Sequence, residues 1–281
     1  MKQTIQELLT TGTGTEGSLL IVKQIYDTLL ESVNGTRIGR QFAAIVVGPS
    51  GIPGSSLDFN LEDERAGAVF KIPEGAPIPI HTVTYTSFNI KPAKYGTRPL
   101  ITREMIEDSK FALLAQHIKR AGVTLGENED SLIITALDQA ANTVSGGAAV
   151  TIANITRAMQ YLEDNDYTPS DLIIGNEVLN DFRNIDTFVE YSKVGNTEML
   201  ARGFLGTIYG MNVIRVSTNA GMTTTTAYVI DRNHAYVMAE KRPVTVERFE
   251  LPQFDMSAAA VTQRFRVKAL RAAAIAKITS S

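Results

Sequence analysis

Hydrophobic positions in this chain change period three times, and each change predicts a different element. From residue 19, Leu19, Val22, Ile25, Tyr26, Leu29, Leu30 and Val33 recur every three or four residues, which predicts a helix with one apolar stripe that needs a surface to lie on. A shorter helical piece around Ile5, Leu8 and Leu9 precedes it, joined by the flexible Thr10 to Gly17 link. Beyond residue 42 the period becomes two. Leu57, Phe59 and Leu61 alternate with polar neighbours, as do Val83 and Tyr85, after a turn-rich run from Gly48 to Ser56. The alternation slips at Ser87 before Phe88 and Ile90, which predicts a bulge. A two-stranded ribbon alone is marginal in water. This one, with Glu62, Asp63, Glu64 and Arg65 within it, is therefore expected to rest on a neighbouring subunit.

From Thr102 the helical period returns. Thr102 is a good N-cap, and Glu104, Glu107 and Asp108 place negative charge where a helix dipole favours it. Ile106, Leu114, Ile118, Ala121, Leu125, Leu132, Ala136 and Ala140 hold one face, predicting a spine helix of about 40 residues, roughly 60 Å long. Gly122 and Gly126 interrupt it at about 1 kcal/mol each. They either bend the helix or admit another backbone, and a bend is expected. After Ser145-Gly146-Gly147 comes a compact α/β stretch: a helix stripe at Ile155, Ala158, Met159 and Leu162, a buried strand Asp171 to Ile174, a short helix Glu177 to Phe182, and a strand pair ending in Val213 to Val216. The rest reads as strands at 227–230, 244–247 and 261–278, with Thr223 to Thr226 as a surface loop.

Composition narrows the function. The 281 residues suit one core or two joined lobes, and a formal charge of −3 supplies no global basic field for a nucleic-acid reader. There is no cysteine, hence no disulfide and no thiolate chemistry. No run of 18 or more apolar residues exists to span a bilayer and the first residues lack a secretion pattern, so a soluble protein made in a cytoplasm is expected. Gly12 to Gly17 and Gly48 to Gly54 lack the Gly-Lys-Ser/Thr ending of a phosphate loop. His81, His117 and His234 have no metal spacing, no Gly-x-Ser-x-Gly elbow appears, and Asp164 with Asp166 reads as a solvated turn. No cofactor, metal or catalytic residue is therefore expected. Arg264, Arg266 and Lys268 share one strand face by alternation and could face DNA, a neighbour's acidic loop, or solvent.

Three segments resemble the major capsid proteins of tailed phages and archaeal tailed viruses with the Hong Kong 97-like coat fold. Glu74-Gly75-Ala76, Phe88, Ile90, Lys94 and Ile101 to Ser109 resemble that family's passage from extended loop to spine helix. Pro169 to Phe182, continuing through Gly206 to Ile214, is similar to its axial domain, and Ala227 to Asp231, Ala239 to Glu247 and Val267 to Thr279 to its peripheral domain. The order matches from about residue 40 onward. A tryptophan common before Glu74 is absent, and Gly175-Asn176 stands where His-Pro or Asn-Pro is common.

The resemblance implies an α+β chain with an N-terminal arm (1–41), an extended loop with flanking strands (42–101), a spine helix with the first part of the peripheral domain (102–147), an axial domain (148–218) and a second peripheral part (219–281). It implies a non-enzymatic coat subunit that builds hexamers and pentamers of an icosahedral shell around double-stranded DNA, assembled in the host cytoplasm and located in the virion. The partners implied are identical subunits, portal and decoration proteins, and packaged DNA through weak contacts. With no counterpart of the family's cleavable N-terminal segment, a separate scaffolding protein or none is expected. Glu62, Asp63, Glu64, Arg65 and Lys71 are the expected inter-subunit contacts. Some relatives weld subunits through a Lys to Asn isopeptide bond. Lys71 lies in the right loop, but no Asn and Glu pair aligns, so a solvated or salt-bridged lysine is expected. An encapsulin-type shell around a cargo enzyme, told apart by its gene neighbours, and an enzyme on an α+β fold, told apart by a discrete small oligomer, are the alternatives.

Overall fold

The computed structural model describes residues 15–62, 69–78, 80, 85–102, 104, 113–184, 206–254 and 256–280. Two sheets and a separate ribbon organise them. The first sheet has the order β1 (Ile45–Val47), β11 (Tyr236–Leu251), β12 (Met256–Ala269) and β4 (Ala93–Thr97), with β5 (Leu100–Thr102) also on β12. The second runs β6 (Asn142–Gly147), β13 (Ile275–Ser280), β10 (Thr226–Ile230), β7 (Asp171–Ile174), β9 (Met211–Arg215) and β8 (Thr207–Ile208). The ribbon pairs β2 (Leu57–Glu62) with β3 (Tyr85–Ile90).

Helix α1 (Thr15–Thr36) carries the first predicted stripe, of which Leu29 and Val33 are buried; the side chains of Leu19, Val22 and Ile25, and the piece around Ile5, Leu8 and Leu9, lie outside the described residues. Its surface belongs to the same chain. Leu29 and Val33 pack with Ile118 and Leu125 of α2 (Leu113–Leu137) and with Val244 and Val261 of the first sheet. Of the start predicted for that spine helix at Thr102, Thr102 itself ends strand β5 opposite Met256 and Glu104 is helical, while residues 105–112 lie outside the described residues. α2 stays helical through both glycines, and they admit another backbone: a Cβ at Gly122 would stand 2.9 Å from Cβ of Ser32 and 3.0 Å from O of Leu29, and one at Gly126 would stand 3.0 Å from Cβ of Thr36. The two helices lie parallel in register, 32 against 122 and 36 against 126, because a missing Cβ lets backbones approach.

A buried ionic joint closes this contact. The Asp130 carboxylate accepts backbone N–H bonds from Ile38 (3.0 and 3.1 Å) and Gly39 (2.8 Å). Arg40 donates to Glu129 (3.0 Å) and to Glu240 of β11 (2.8 Å). Burial pushes the Glu129 and Asp130 carboxyls above the usual carboxylate range, against the opposing pull of Arg40 and Arg37 on Glu129 and of the Gly39 and Ile38 N–H groups on Asp130.

The second sheet buries Leu172, Ile174, Ala227 and Val229 beneath α3 (Ile152–Glu163) and α4 (Asn176–Asn184), while Ile173, Tyr228 and Ile230 face the core shared with α2 and Phe265. Both faces are covered, which is why these strands read as unbroken apolar runs. The division expected at 218/219 does not separate the sheets, since β10, paired with β13 on one side, pairs with β7 on the other in one sheet. Nor is 261–278 one strand: β12 ends at Ala269 and β13 begins at Ile275. The threonine run is not simply a surface loop, because O of Thr224 accepts N–H of Glu177 (3.0 Å), O of Thr226 accepts N–H of Gly175 (3.0 Å), and Thr226 is buried. β8 and β9 meet across Tyr209 and Gly210, both at positive φ, as a two-residue hairpin requires.

Candidate assembly surface

The ribbon is built on one face of the first sheet, opposite the helices. Ile52 and Ile90 are buried with Val237 and Ala239 of β11, and Leu57, Phe59 and Phe88 pack around them. The Phe59 and Phe88 rings stack at 5.5 Å between centroids, 16° from parallel. Pairing runs without a shift from Leu57 opposite Ile90 to Glu62 opposite Tyr85, so the bulge expected at Ser87 is absent. Tyr85 simply points to the other face, 65% exposed; Val83 lies outside the described residues.

Three cations of the sheet, and Arg271 just beyond β12, brace the ribbon. Lys241 Nζ donates to O of Ile52 (2.8 Å) and to O of Gly54, Lys268 Nζ sits 4.8 Å from the Phe88 ring centre, Arg264 Nε donates to O of Pro92 (3.1 Å), and Arg271 reaches O of Glu62 (2.7 Å). Sequence reasoning had placed Arg264 and Lys268 on one face but missed Lys241 and Arg271, whose partners are carbonyls and leave no trace in the side-chain pattern. It also missed the Arg40, Glu129 and Glu240 joint. Its signal was present, because Glu129 follows Leu125 by four residues and so stands where the apolar stripe of α2 continues.

Past the base, the chain stops burying its apolar groups. Val69 is 101% exposed, Ile80 94% and Ile78 78%, with Phe70 and Ile72 also exposed. Between them Pro73 to Ala76 forms a turn, closed by N–H of Ala76 to O of Pro73 (3.1 Å), with Gly75 at φ +81° in the position where a type II turn demands it. Of the expected contact residues, Glu62 is exposed at the end of β2 and Lys71 is exposed beside Phe70, while Asp63, Glu64 and Arg65 lie outside the described residues. Glu62 and Lys71 make no ion pair among the described residues. His234 meets Asp231 at 2.8 Å, His117 is half-buried on α2, and His81 lies outside the described residues. Among the described residues no three His, Cys, Asp or Glu side chains gather as a metal site, and no helix is long and apolar enough to cross a membrane.

Comparison with known proteins gives this geometry its context. A family model described as phage capsid protein matches residues 85–278, more than half of the chain. Among solved structures, one from Microbacterium phage Oxtober96 superposes with a TM-score of 0.68 at 16% identity, covering 88% of this chain and 91% of its own. The capsid structure of the cyanophage P-SCSP1u gives 0.69 at 12% identity, with 87% and 88% covered. A virus-like particle from Pyrococcus furiosus gives 0.61 at 15%, with 92% and 98% covered. A search of curated proteins gives no match.

Proposed function

The chain belongs to the phage capsid protein family, and from that premise we propose how it works as a coat protein: the extended loop of each subunit lies across an adjacent identical subunit, and repetition of that contact closes hexamers and pentamers into an icosahedral shell. It is a structural protein of the virion capsid with the Hong Kong 97-like fold. The observation that carries the loop's role is the exposed run of Val69, Phe70, Ile72, Ile78 and Ile80, for which the described part of the chain provides no cover. Burying such side chains contributes roughly 1.5–3 kcal/mol each, enough to hold an interface once ordering is offset. Glu62, Asp63, Glu64, Arg65 and Lys71 then serve register, since exposed ion pairs contribute about 0–1 kcal/mol apiece.

On this reading the shell encloses double-stranded DNA and is assembled in the host cytoplasm, with portal and decoration proteins as further partners and with a separate scaffolding protein or none. An encapsulin role is not favoured: the family matched is one of phage capsids, although the Pyrococcus particle shares the fold. Cryo-microscopy of the purified full chain, alone and with its scaffold, tests this reading. Closed shells with five- and six-fold capsomers are expected, and a population made only of discrete dimers or tetramers would sink it.

A further inference from the structure

The ribbon leaves the charge of its supporting sheet face unneutralised. In the direct pairings of β4, β12 and β11, Lys94, Arg264 and Arg242 lie abreast on three adjacent strands. Alternation along β12 puts Arg266 and Lys268 on the same face, away from the helices that bury Phe265 and Val267. The partners of these groups are neutral: a Pro92 carbonyl for Arg264, the Thr262 hydroxyl for Arg242 (3.1 Å), the Phe88 ring for Lys268. None of the five joins a carboxylate among the described residues. Arg242 keeps a buried Nε–H with no acceptor. The nearest acid on this face of the three strands, Glu247, pairs with Ala260, about 13 Å along β12 from Arg264.

Like charges directly opposite each other destabilise a sheet. A free subunit therefore carries a cost that an anionic neighbour removes. The chain itself supplies a suitable anion: Glu62 is exposed, Asp63 and Glu64 follow it, and Glu74 is exposed at the turn. Glu62 and Glu74 are unpaired among the described residues, while the base of their own ribbon stays fixed on Val237 and Ala239. In a ring of identical subunits, a loop leaving one copy reaches the equivalent face of the next.

We infer that the row Lys94, Arg264 and Arg242, flanked by Arg266, is the seat on which the acidic run beginning at Glu62 of a second copy docks. This rests on the loop contact proposed above and names its receiving surface. Phosphate is the weaker occupant, because nucleic-acid affinity needs many cations and the chain as a whole is at −3.

The test reverses charge on the exposed members of the row (Lys94→Glu with Arg266→Glu), on the loop (Glu62→Lys, Asp63→Lys, Glu64→Lys), and on all five positions together. Each set alone should lower the sedimenting, shell-forming fraction by about 10-fold or more, and the combination should recover it to within about 3-fold of the unaltered chain. Reversed-row chains that assemble like the unaltered chain, or losses without rescue, overturn the inference. So would row variants whose shells form normally but copurify with less nucleic acid, which would assign the row to phosphate. Because the chain is free of cysteine, a second readout is independent of shell closure. Glu62→Cys and Lys94→Cys chains, made separately, mixed and treated with a short bismaleimide, should give a dimer on a denaturing gel only when both are present; Glu62→Cys with Arg157→Cys should give none. Shells from the unaltered chain without that dimer reject the docking seat alone. The dimer without shells rejects the coat reading alone.

Discussion

The N-terminal helix and the extended loop look alike as sequence, each an apolar segment without evident cover, yet the fold treats them in opposite ways. α1 lies on the α2 glycines and buries Leu29 and Val33 within its own subunit. The loop exposes Val69, Ile78 and Ile80 almost completely. An uncovered stripe in a sequence thus signals a need for a surface without saying whose. The surface that the α1 stripe needs is supplied, for the described part of the helix, by the same chain, where Gly122 and Gly126 let the two backbones approach.

The comparison can be broken most forcefully at the loop. Replacing Phe70, Ile78 and Ile80 by Asp should abolish shell formation in sedimentation while moving the subunit's own unfolding free energy by no more than about 0.5 kcal/mol, as surface changes do. The reverse split is expected at the helix: Leu29→Ala should cost about 2–5 kcal/mol in denaturant unfolding of the unassembled subunit. Gly122→Val, which presses against Ser32 and the Leu29 carbonyl, should cost about 1–3 kcal/mol by overpacking.

A pH series sharpens the helix side further. The folded subunit holds the Glu129 carboxyl above its ordinary range by burial, so its contribution to stability is complete below about pH 4.5 and is lost as pH rises through the folded value. Glu129→Gln lacks this titration. The stability gap between the unaltered chain and the variant should therefore narrow as pH rises from 4.5, and a gap that widens would refute the buried joint's sign. Smallest of all, the unaltered chain and Lys71→Met should both leave assembled subunits migrating as single 30.6 kDa chains on a denaturing gel, as a solvated lysine without a covalent weld requires.

Periodicity made the elements legible where one face decides burial. The β7 run, the α3 stripe and the β2 alternation all appear where hydrophobic spacing puts them. What escaped is what depends on the third dimension. The slip at Ser87 mimicked a bulge because Tyr85 faces solvent, and an apolar residue on the wrong face is indistinguishable in sequence from a register change. The glycine pair was equally consistent with a bend, since only the partner backbone decides. Strands β10 and β13 joined the second sheet because pairing follows topology and not chain order. For the assembly surface, the acids and Lys71 could be listed, whereas the cations that aim the ribbon bind carbonyls and a ring, partners that no charge pattern announces.

One short stretch of β11 connects the two contrasted regions. Glu240 is held by Arg40 from the helix side, and the next residue, Lys241, grips the carbonyls of Ile52 and Gly54 on the ribbon side. At the register shift of β11 these two consecutive residues grip opposite faces of the sheet, so the pair works as a fulcrum. Because the two grips sit on consecutive residues of one strand, a displacement of Glu240 from the helix side also displaces Lys241 and with it the root of the ribbon.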